Sequence, residues 1–465
     1  MKKSFIKRFA VLLVVVMVAV TASTITAALL KREQPREPKR GIVIVTALIS
    51  GGLYVNNPDG TQTQFWDPIL NYEDFPVQET ILPDGSYNIS LDLINEVLDR
   101  MGGLEPFLAL IDPNTGLLPS LMLDPMTGES LLDISPANPD SPDRIKYGAL
   151  GAYKQTVDSM TAEYGDIAEA VVFNYDWRID NRKNAQLLEK FINERGYDEV
   201  VLTSHSMGGN VVSTYLAMSE ENRNKVVLYC PYAPSALGAI DALFYMEDAR
   251  NLLSMFDLGD IGAIAAPIID TMANPLIRSL VSIYQLFPNP ILLESGQYTN
   301  QDGDYMITID GEPILTREEL IEFYKSRPYA KNEDGEWLYV FQTEENGKTR
   351  LENFFDSSFV EVDGKMVHST SLVNTVFFAG NGIRSLHGLD FVTDENGNVV
   401  FDKARYSSMG DNMVILYSAT AGLGPDAENV EIIAKGAHAS VGVNFDALLM
   451  ERTFAEINKV WRTDK

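Results

Sequence analysis

Cysteine is almost missing from this chain. Its single residue of that type, Cys230, excludes an internal disulfide and any metal site built from several thiolates. It closes the apolar run 226–229, which predicts a buried, inert thiol rather than a nucleophile. Histidine is scarce too. A reaction that needs an imidazole base has only His205, His368, His387 and His438 to draw on. Basic residues are outnumbered by acidic ones, 37 to 65, and residues 1–40 hold nine of the basic and two of the acidic, which leaves −35 on the remainder. A surface of that sign repels polyphosphate and excludes nucleic acid as a natural partner.

What is present suits a large globular fold. With 465 residues, 45% of them hydrophobic, the chain has enough apolar material for one large α/β domain with insertions, or for two domains. It opens with the basic stretch Met1-Lys2-Lys3-Ser4-Phe5-Ile6-Lys7-Arg8 and then carries no charge from Phe9 to Leu30. This predicts export, through either a cleaved signal peptide or a retained anchor, since the run is about as long as the ~20 residues that span a bilayer. The basic end should stay cytoplasmic and the body should lie outside. Residues 31–40, charged and proline-containing, read as a linker.

Beyond the linker, apolar strands alternate with helical segments. Strands are expected at 41–45, 170–175, 199–204, 225–230, 374–379 and 429–435, with helices at 184–195, 207–219 and 445–461. Continuous apolar strands separated by helices predict a mostly parallel sheet covered on both faces. The stretch 234–369 interrupts the pattern. Its first half is rich in Leu, Ile, Met and Phe, and its second half alternates short β-like runs with turns such as Asp302-Gly303 and Asp310-Gly311, so it reads as a cap over the catalytic edge. The predicted organisation is a targeting segment (1–30), a linker (31–40), a core in two parts (41–233 and 370–465) and the inserted cap (234–369). Insertions at 57–87 and 112–143 read as surface loops. Acidic turns such as Asn332-Glu333-Asp334-Gly335 lack the spacing of an EF-hand, and no metal or other cofactor is expected.

The chemistry concentrates at Val200-Val201-Leu202-Thr203-Ser204-His205-Ser206-Met207-Gly208-Gly209-Asn210, an apolar strand that runs through small residues into a helix. A serine on such a tight strand-to-helix turn projects its hydroxyl from the backbone, while the helix N-terminus offers unpaired N–H groups to a developing oxyanion. Ser204 replaces the more usual glycine and is small enough to fit. His438 is the expected base, because it follows the last strand at the carboxyl edge of the sheet, where ligands bind in open α/β folds. His205 adjoins the nucleophile and should point away from its hydroxyl. The acid should lie between serine and histidine in the chain. Asp411, in Ser408-Met409-Gly410-Asp411-Asn412-Met413-Val414, fits best, with Asp390 and Asp402 as competitors in a loop and a hairpin. The small-residue loop Thr46-Ala47-Leu48-Ile49-Ser50-Gly51-Gly52 follows the first strand. The backbone N–H groups of Leu48 and Met207 are the expected oxyanion donors.

Taken in order, these residues resemble the lecithin:cholesterol acyltransferase-like and lysosomal phospholipase A2-like α/β-hydrolases. The resemblance rests on Val45-Thr46-Ala47-Leu48-Ile49-Ser50-Gly51-Gly52-Leu53 as the oxyanion loop, Tyr175-Asp176-Trp177-Arg178, Ser204-His205-Ser206-Met207-Gly208, Arg278-Ser279-Leu280 with Leu286-Phe287-Pro288, Gly410-Asp411-Asn412-Met413-Val414, and His438. It implies an α/β-hydrolase fold with a cap, Ser206 as nucleophile, Asp411 as acid, His438 as base, and Leu48 and Met207 as oxyanion donors. Asp176 and Arg178 read as an ion pair that supports the site. The chain departs from the family in having Thr46-Ala47 for proline-glycine, Asn412-Met413 for glycine-threonine, and no disulfides. The expected activity is that of an exported serine esterase, lipase, phospholipase or O-acyltransferase on acyl esters, with lipid as substrate and with membrane contact through the N-terminal segment and the apolar cap. Two other readings stay open: a non-catalytic envelope protein on a hydrolase scaffold, and a serine hydrolase of non-lipid esters or peptides.

Overall fold

Six strands form the central sheet: β1 (Arg40–Val45), β2 (Ala168–Phe173), β3 (Glu199–His205), β4 (Val226–Tyr232), β5 (Phe377–Asn381) and β6 (Val430–Ala434). Their spatial order is β6-β5-β4-β3-β1-β2, and every pairing is parallel. The computed structural model describes residues 36–66, 87–88, 117–251, 256–257, 273–294, 305–442 and 447–462. The expected targeting segment, the expected linker up to residue 35 and parts of the expected insertions and cap lie outside the described residues. Arg40–Lys465 forms a compact unit of its own.

Side chains of a strand alternate between faces, and here both faces are covered, so the strands read as unbroken apolar runs. Val43, Val45, Val200 and Leu202 face one side, packed with Leu188 and Ile192 of α2 (Asn181–Arg195) and Val211 and Val212 of α3 (Gly208–Met218). Ile42, Val201, Leu228 and Cys230 face the other. There they meet Met160 and Tyr164 of α1 (Lys154–Tyr164) and Leu449, Ile457 and Trp461 of α4 (Ala447–Trp461). Cys230 is fully buried, and burial raises its thiol pKa far above the ordinary value. It is a core residue.

Register decides where chemistry can happen. Val45 pairs with both Phe173 and Ser204, His205 with Tyr232, and Asn381 with Ala434, so β1, β2, β3, β4, β5 and β6 end along a common carboxyl rim. The loops that follow them carry Thr46, Asn174, Ser206, Ala233, Gly382 and Lys435.

Element boundaries shift by one to three residues from the sequence expectation. α2 begins at Asn181 rather than 184 because Asp180 caps it, its side chain accepting from the Arg182 N–H, and it stops at Gly196 in a left-handed conformation. The Asp310-Gly311 turn joins Ile307–Ile309 to Glu312–Pro313 with both turn residues at positive φ, as a tight hairpin requires. That pair belongs to a second sheet completed by Ser385–Thr393 and Val399–Ser407, which come after β5 in the chain. This second sheet is thus assembled from both sides of residue 369.

The buried Asp180 ties the N-terminus of α2 to Gln285 and, through Arg182, to Glu344. Asp180 accepts from Nε and Nη2 of Arg182 and from Gln285, at 2.7 Å, while Arg182 also reaches Glu344, which accepts from Arg350 and Asn353. Burial alone would raise the pKa of Asp180, but the bonds and charge of Arg182, with Gln285, outweigh it and hold the carboxyl below its ordinary value. A folded pKa below the unfolded value of about 4 gives a contribution that is complete above that pH and lost as pH falls through the folded value. Asparagine would preserve the helix cap and leave the partly exposed Arg182 paired with Glu344 alone. Asp180→Asn should cost about 1.5–3 kcal/mol at neutral pH and flatten the pH dependence of Tm below about pH 4. Thermal melts from pH 7 to pH 3 check this, and superposable wild-type and variant curves would refute it.

Candidate active site

β3 delivers Ser206 to the rim with φ at +51°, a conformation unfavourable for any residue with a side chain. Three backbone bonds hold it there. Its N–H donates to the Tyr232 carbonyl (3.2 Å), and its carbonyl accepts from Gly209 (2.9 Å) and Ser235 (3.2 Å). Ser204, in the position where glycine is commonest, turns its hydroxyl to Tyr229 at 2.7 Å, so the departure is accommodated by a buried hydrogen bond. Gly208 is required by close approach. A Cβ there would lie 2.5 Å from the Thr46 oxygen and 2.7 Å from that of Val45. The start of α3 is therefore pressed against the end of β1.

The structure brings three predicted residues into contact. His438 Nε2 lies 2.9 Å from Ser206 Oγ, and His438 Nδ1 lies 2.8 Å from Asp411 Oδ2. Both His438 and Asp411 are buried. The other oxygen of Asp411 accepts from the N–H groups of Val414 (2.7 Å) and Met413 (3.1 Å), which fixes the carboxylate face turned to the imidazole. Asn412 stands at φ +80°, which asparagine tolerates better than most residues, and its side-chain oxygen accepts from the His438 N–H at 3.2 Å. Asn412 thus adds a tether to His438.

The competing candidates lie elsewhere. Asp390 is engaged by Thr308, Lys403 and Arg405 in the second sheet, and Asp402 is exposed on its edge strand. His368 is buried against Thr370, with its pKa pushed down to about 4 by burial. His387 approaches Ser407. His205 turns from the serine hydroxyl and reaches the His438 carbonyl at 3.1 Å. A further buried acid, Asp241, donates nothing to the triad. Burial pushes its pKa well above the carboxylate range and the charge of Asp411 pushes it further, so it stays protonated beside a charged neighbour.

Leu48 occupies a turn in which the Ser50 N–H donates to the Ala47 carbonyl (3.1 Å) and Ile49 adopts φ +59°. Positive φ at the third turn residue alone is the type II pattern. Among the described residues the N–H groups of Leu48 and Met207 have no partner. The loop around them is braced on all sides. Tyr153 accepts from the Ala47 N–H (3.0 Å), Tyr175 donates to the Thr46 carbonyl (2.9 Å), Asn174 accepts from the Gly52 N–H (3.0 Å), and the Trp66 indole donates to the Ile49 carbonyl (2.6 Å). Sequence reading missed Tyr153, Asn174 and Trp66. No motif marks them, because their roles are contacts across more than a hundred residues or through a loop tip.

Asp176 and Arg178 form the expected pair. Arg178 Nε and Nη2 clasp both carboxylate oxygens (2.9 and 2.7 Å), and its Nη1 donates to the Leu121 carbonyl. No contact joins them to Ser206, His438 or Asp411 among the described residues. They pin the segment that carries Tyr175 and Trp177, the latter packed against Gly51.

Residues 142–309 match the family model of lecithin:cholesterol acyltransferase. The matched span includes β2, β3, β4, Tyr175-Asp176-Trp177-Arg178 and Ser206, and it ends before Asp411 and His438. No curated protein matches the chain. Among solved structures, one matching chain comes from the Tle4–Tli4 complex, at 13% identity and a TM-score of 0.42, with 92% of this chain and 99% of that one covered.

The contact between Gly208 and the Thr46 and Val45 carbonyls gives a test of how the loop is positioned. Gly208→Ala should push residues 46–48 outward, removing a donor, and slow ester turnover by about 10²–10³-fold. The Tm of the variant should fall only modestly. Turnover within a factor of three of wild type, in a folded variant, would show that the loop donor does not depend on this contact.

Proposed function

Taking the chain as a lecithin:cholesterol acyltransferase-like α/β-hydrolase, we propose that it is a serine esterase or O-acyltransferase acting on lipid acyl esters. The observation that carries this reading is the continuous chain from Ser206 Oγ through His438 to Asp411, with spacings of 2.9 and 2.8 Å. Both fall within the range for proton transfer between positioned groups.

In the proposed reaction Ser206 Oγ attacks the ester carbonyl carbon as its proton passes to His438 Nε2. Asp411 holds Nδ1–H and stabilises the imidazolium. The carbonyl oxygen becomes an oxyanion, received by the Leu48 and Met207 N–H groups, each worth about 2.7–4 kcal/mol of barrier. Collapse expels the alcohol, which takes its proton from His438, and leaves an acyl group on Ser206. Water or an acceptor alcohol then attacks with the same base, releasing acid or a new ester. Hydrolysis and transfer share every step up to this last one, so the identity of the acceptor distinguishes them.

The lipid substrate is supported by the family match and by the apolar character of residues 236–293. Export is supported by the basic residues 2–8 followed by an uncharged run. Among the described residues no helix is long and apolar enough to cross a membrane.

A fluorophosphonate probe tests the reading directly. Wild type should be labelled at Ser206 and Ser206→Ala should not, while Asp411→Asn should react about 10⁴-fold more slowly, as expected when the imidazole is held in the wrong tautomer. A series of p-nitrophenyl esters should show kcat/KM rising with acyl chain length, and products analysed with and without added alcohol should identify the acceptor. Equal labelling of wild type and Ser206→Ala, or labelling of neither, would remove the catalytic reading and favour a binding role on this scaffold. A flat chain-length series would move the substrate to non-lipid esters.

A further inference from the structure

We propose that His205 is a positioning residue for the base: its Nε2–H grips the His438 carbonyl and thereby sets where the imidazole of His438 stands against the Ser206 hydroxyl. This rests on the catalytic reading above and adds to it a residue that neither touches the substrate nor joins the proton path.

His205 ends β3, and its buried ring reaches across the rim to His438 O at 3.1 Å. A carbonyl oxygen only accepts, so Nε2 must carry the hydrogen. Nδ1 is then an unprotonated acceptor, and it has no partner among the described residues. Burial, with the neighbouring His438 second, depresses the pKa of His205 well below 6.5, so the ring stays neutral and does not add a charge beside the imidazolium formed in catalysis. The two rings are 5.0 Å apart and tilted by 39°. His205 also lies flat on Gly442, where a Cβ would stand 1.7 Å from its Cδ2.

These contacts complete the restraint on His438. Its N–H is bonded to the Asp411 carbonyl (2.8 Å) and the Asn412 side chain, and its Nδ1 to the Asp411 carboxylate. His205 holds the opposite, carbonyl side. The holder is covalently next to the nucleophile, so both partners of the Nε2···Oγ contact are referenced to the end of one strand, although the residues are 232 apart in sequence. An apolar side chain of similar size would fill the same space and avoid leaving Nδ1 unpaired in the interior. The imidazole is therefore best explained by its donor.

Three variants separate this from packing alone. His205→Phe keeps a ring on Gly442 and loses the donor, whereas His205→Gln places an amide N–H at comparable reach. His205→Phe should lower kcat on a p-nitrophenyl ester about 10–100-fold with KM nearly unchanged, as for a base displaced by about 1 Å. His205→Gln should recover most of that loss at a similar Tm. Wild-type kcat in His205→Phe, or equal losses in both variants when both are folded, would overturn the proposal. Should His205→Phe fail to fold, Gly442→Ala, which displaces the ring and leaves the donor chemically intact, must show the same fall in kcat with KM held; wild-type turnover there overturns it equally. The low-field proton resonance of His438 Nδ1–H gives a readout independent of activity. It should persist in wild type and His205→Gln and be lost or shifted in His205→Phe. If wild type were not labelled by fluorophosphonate, the functional reading would fall, and this resonance, unchanged in His205→Phe, would separately decide against the positioning role.

Discussion

The site depends on one strained residue held by its neighbours. Ser206 keeps φ at +51° because Tyr232, Gly209 and Ser235 bond its backbone on both sides, and because Gly208 lets α3 begin against the end of β1. Strain of this kind costs on the order of 1–3 kcal/mol and persists only where surrounding structure over-determines it. Here that structure is the parallel sheet. β3 between β1 and β4 fixes the strand end, and the hydroxyl is lifted to the rim as a consequence.

Around that point the buried ionisable groups are sorted by environment. Asp411 accepts two backbone N–H bonds and faces an imidazole, whereas Asp241, close enough to feel its charge, is kept protonated by burial. His205 is kept neutral beside His438. The carboxylate that can stabilise an imidazolium is therefore the one bonded to it, and neighbouring groups neither compete for its proton nor add charge of the wrong sign.

The less usual residues around the site have local explanations. Ser204 pairs with Tyr229, and Asn412 takes a positive φ and ties the His438 N–H. Ile49 takes φ +59° in the turn closed by Ser50 and Ala47, and its carbonyl is held by the Trp66 indole. Polar side chains tie distant segments together, among them the Asp180–Arg182–Glu344 network and the buried Asp176–Arg178 clasp.

Much of this was legible in the sequence. Unbroken apolar strands alternating with amphipathic helices already meant a parallel sheet covered on both faces, because only such a sheet buries Val200, Val201 and Leu202 alike. Small residues around Ser206 marked the tight strand-to-helix turn, and with only four histidines the one after the last strand was singled out by position. Boundaries moved where a helix cap decided them, as Asp180 did for α2, and the second sheet drew on strands from both sides of residue 369 because strand pairing joins distant segments. What the sequence could not reveal was side-chain meeting in space: Tyr153 under Ala47, Tyr229 under Ser204, His205 on the carbonyl of His438. Periodicity and motif spacing report how each segment faces its own surroundings. Which distant side chains meet is decided only when the shared register of six strands brings their ends to one rim.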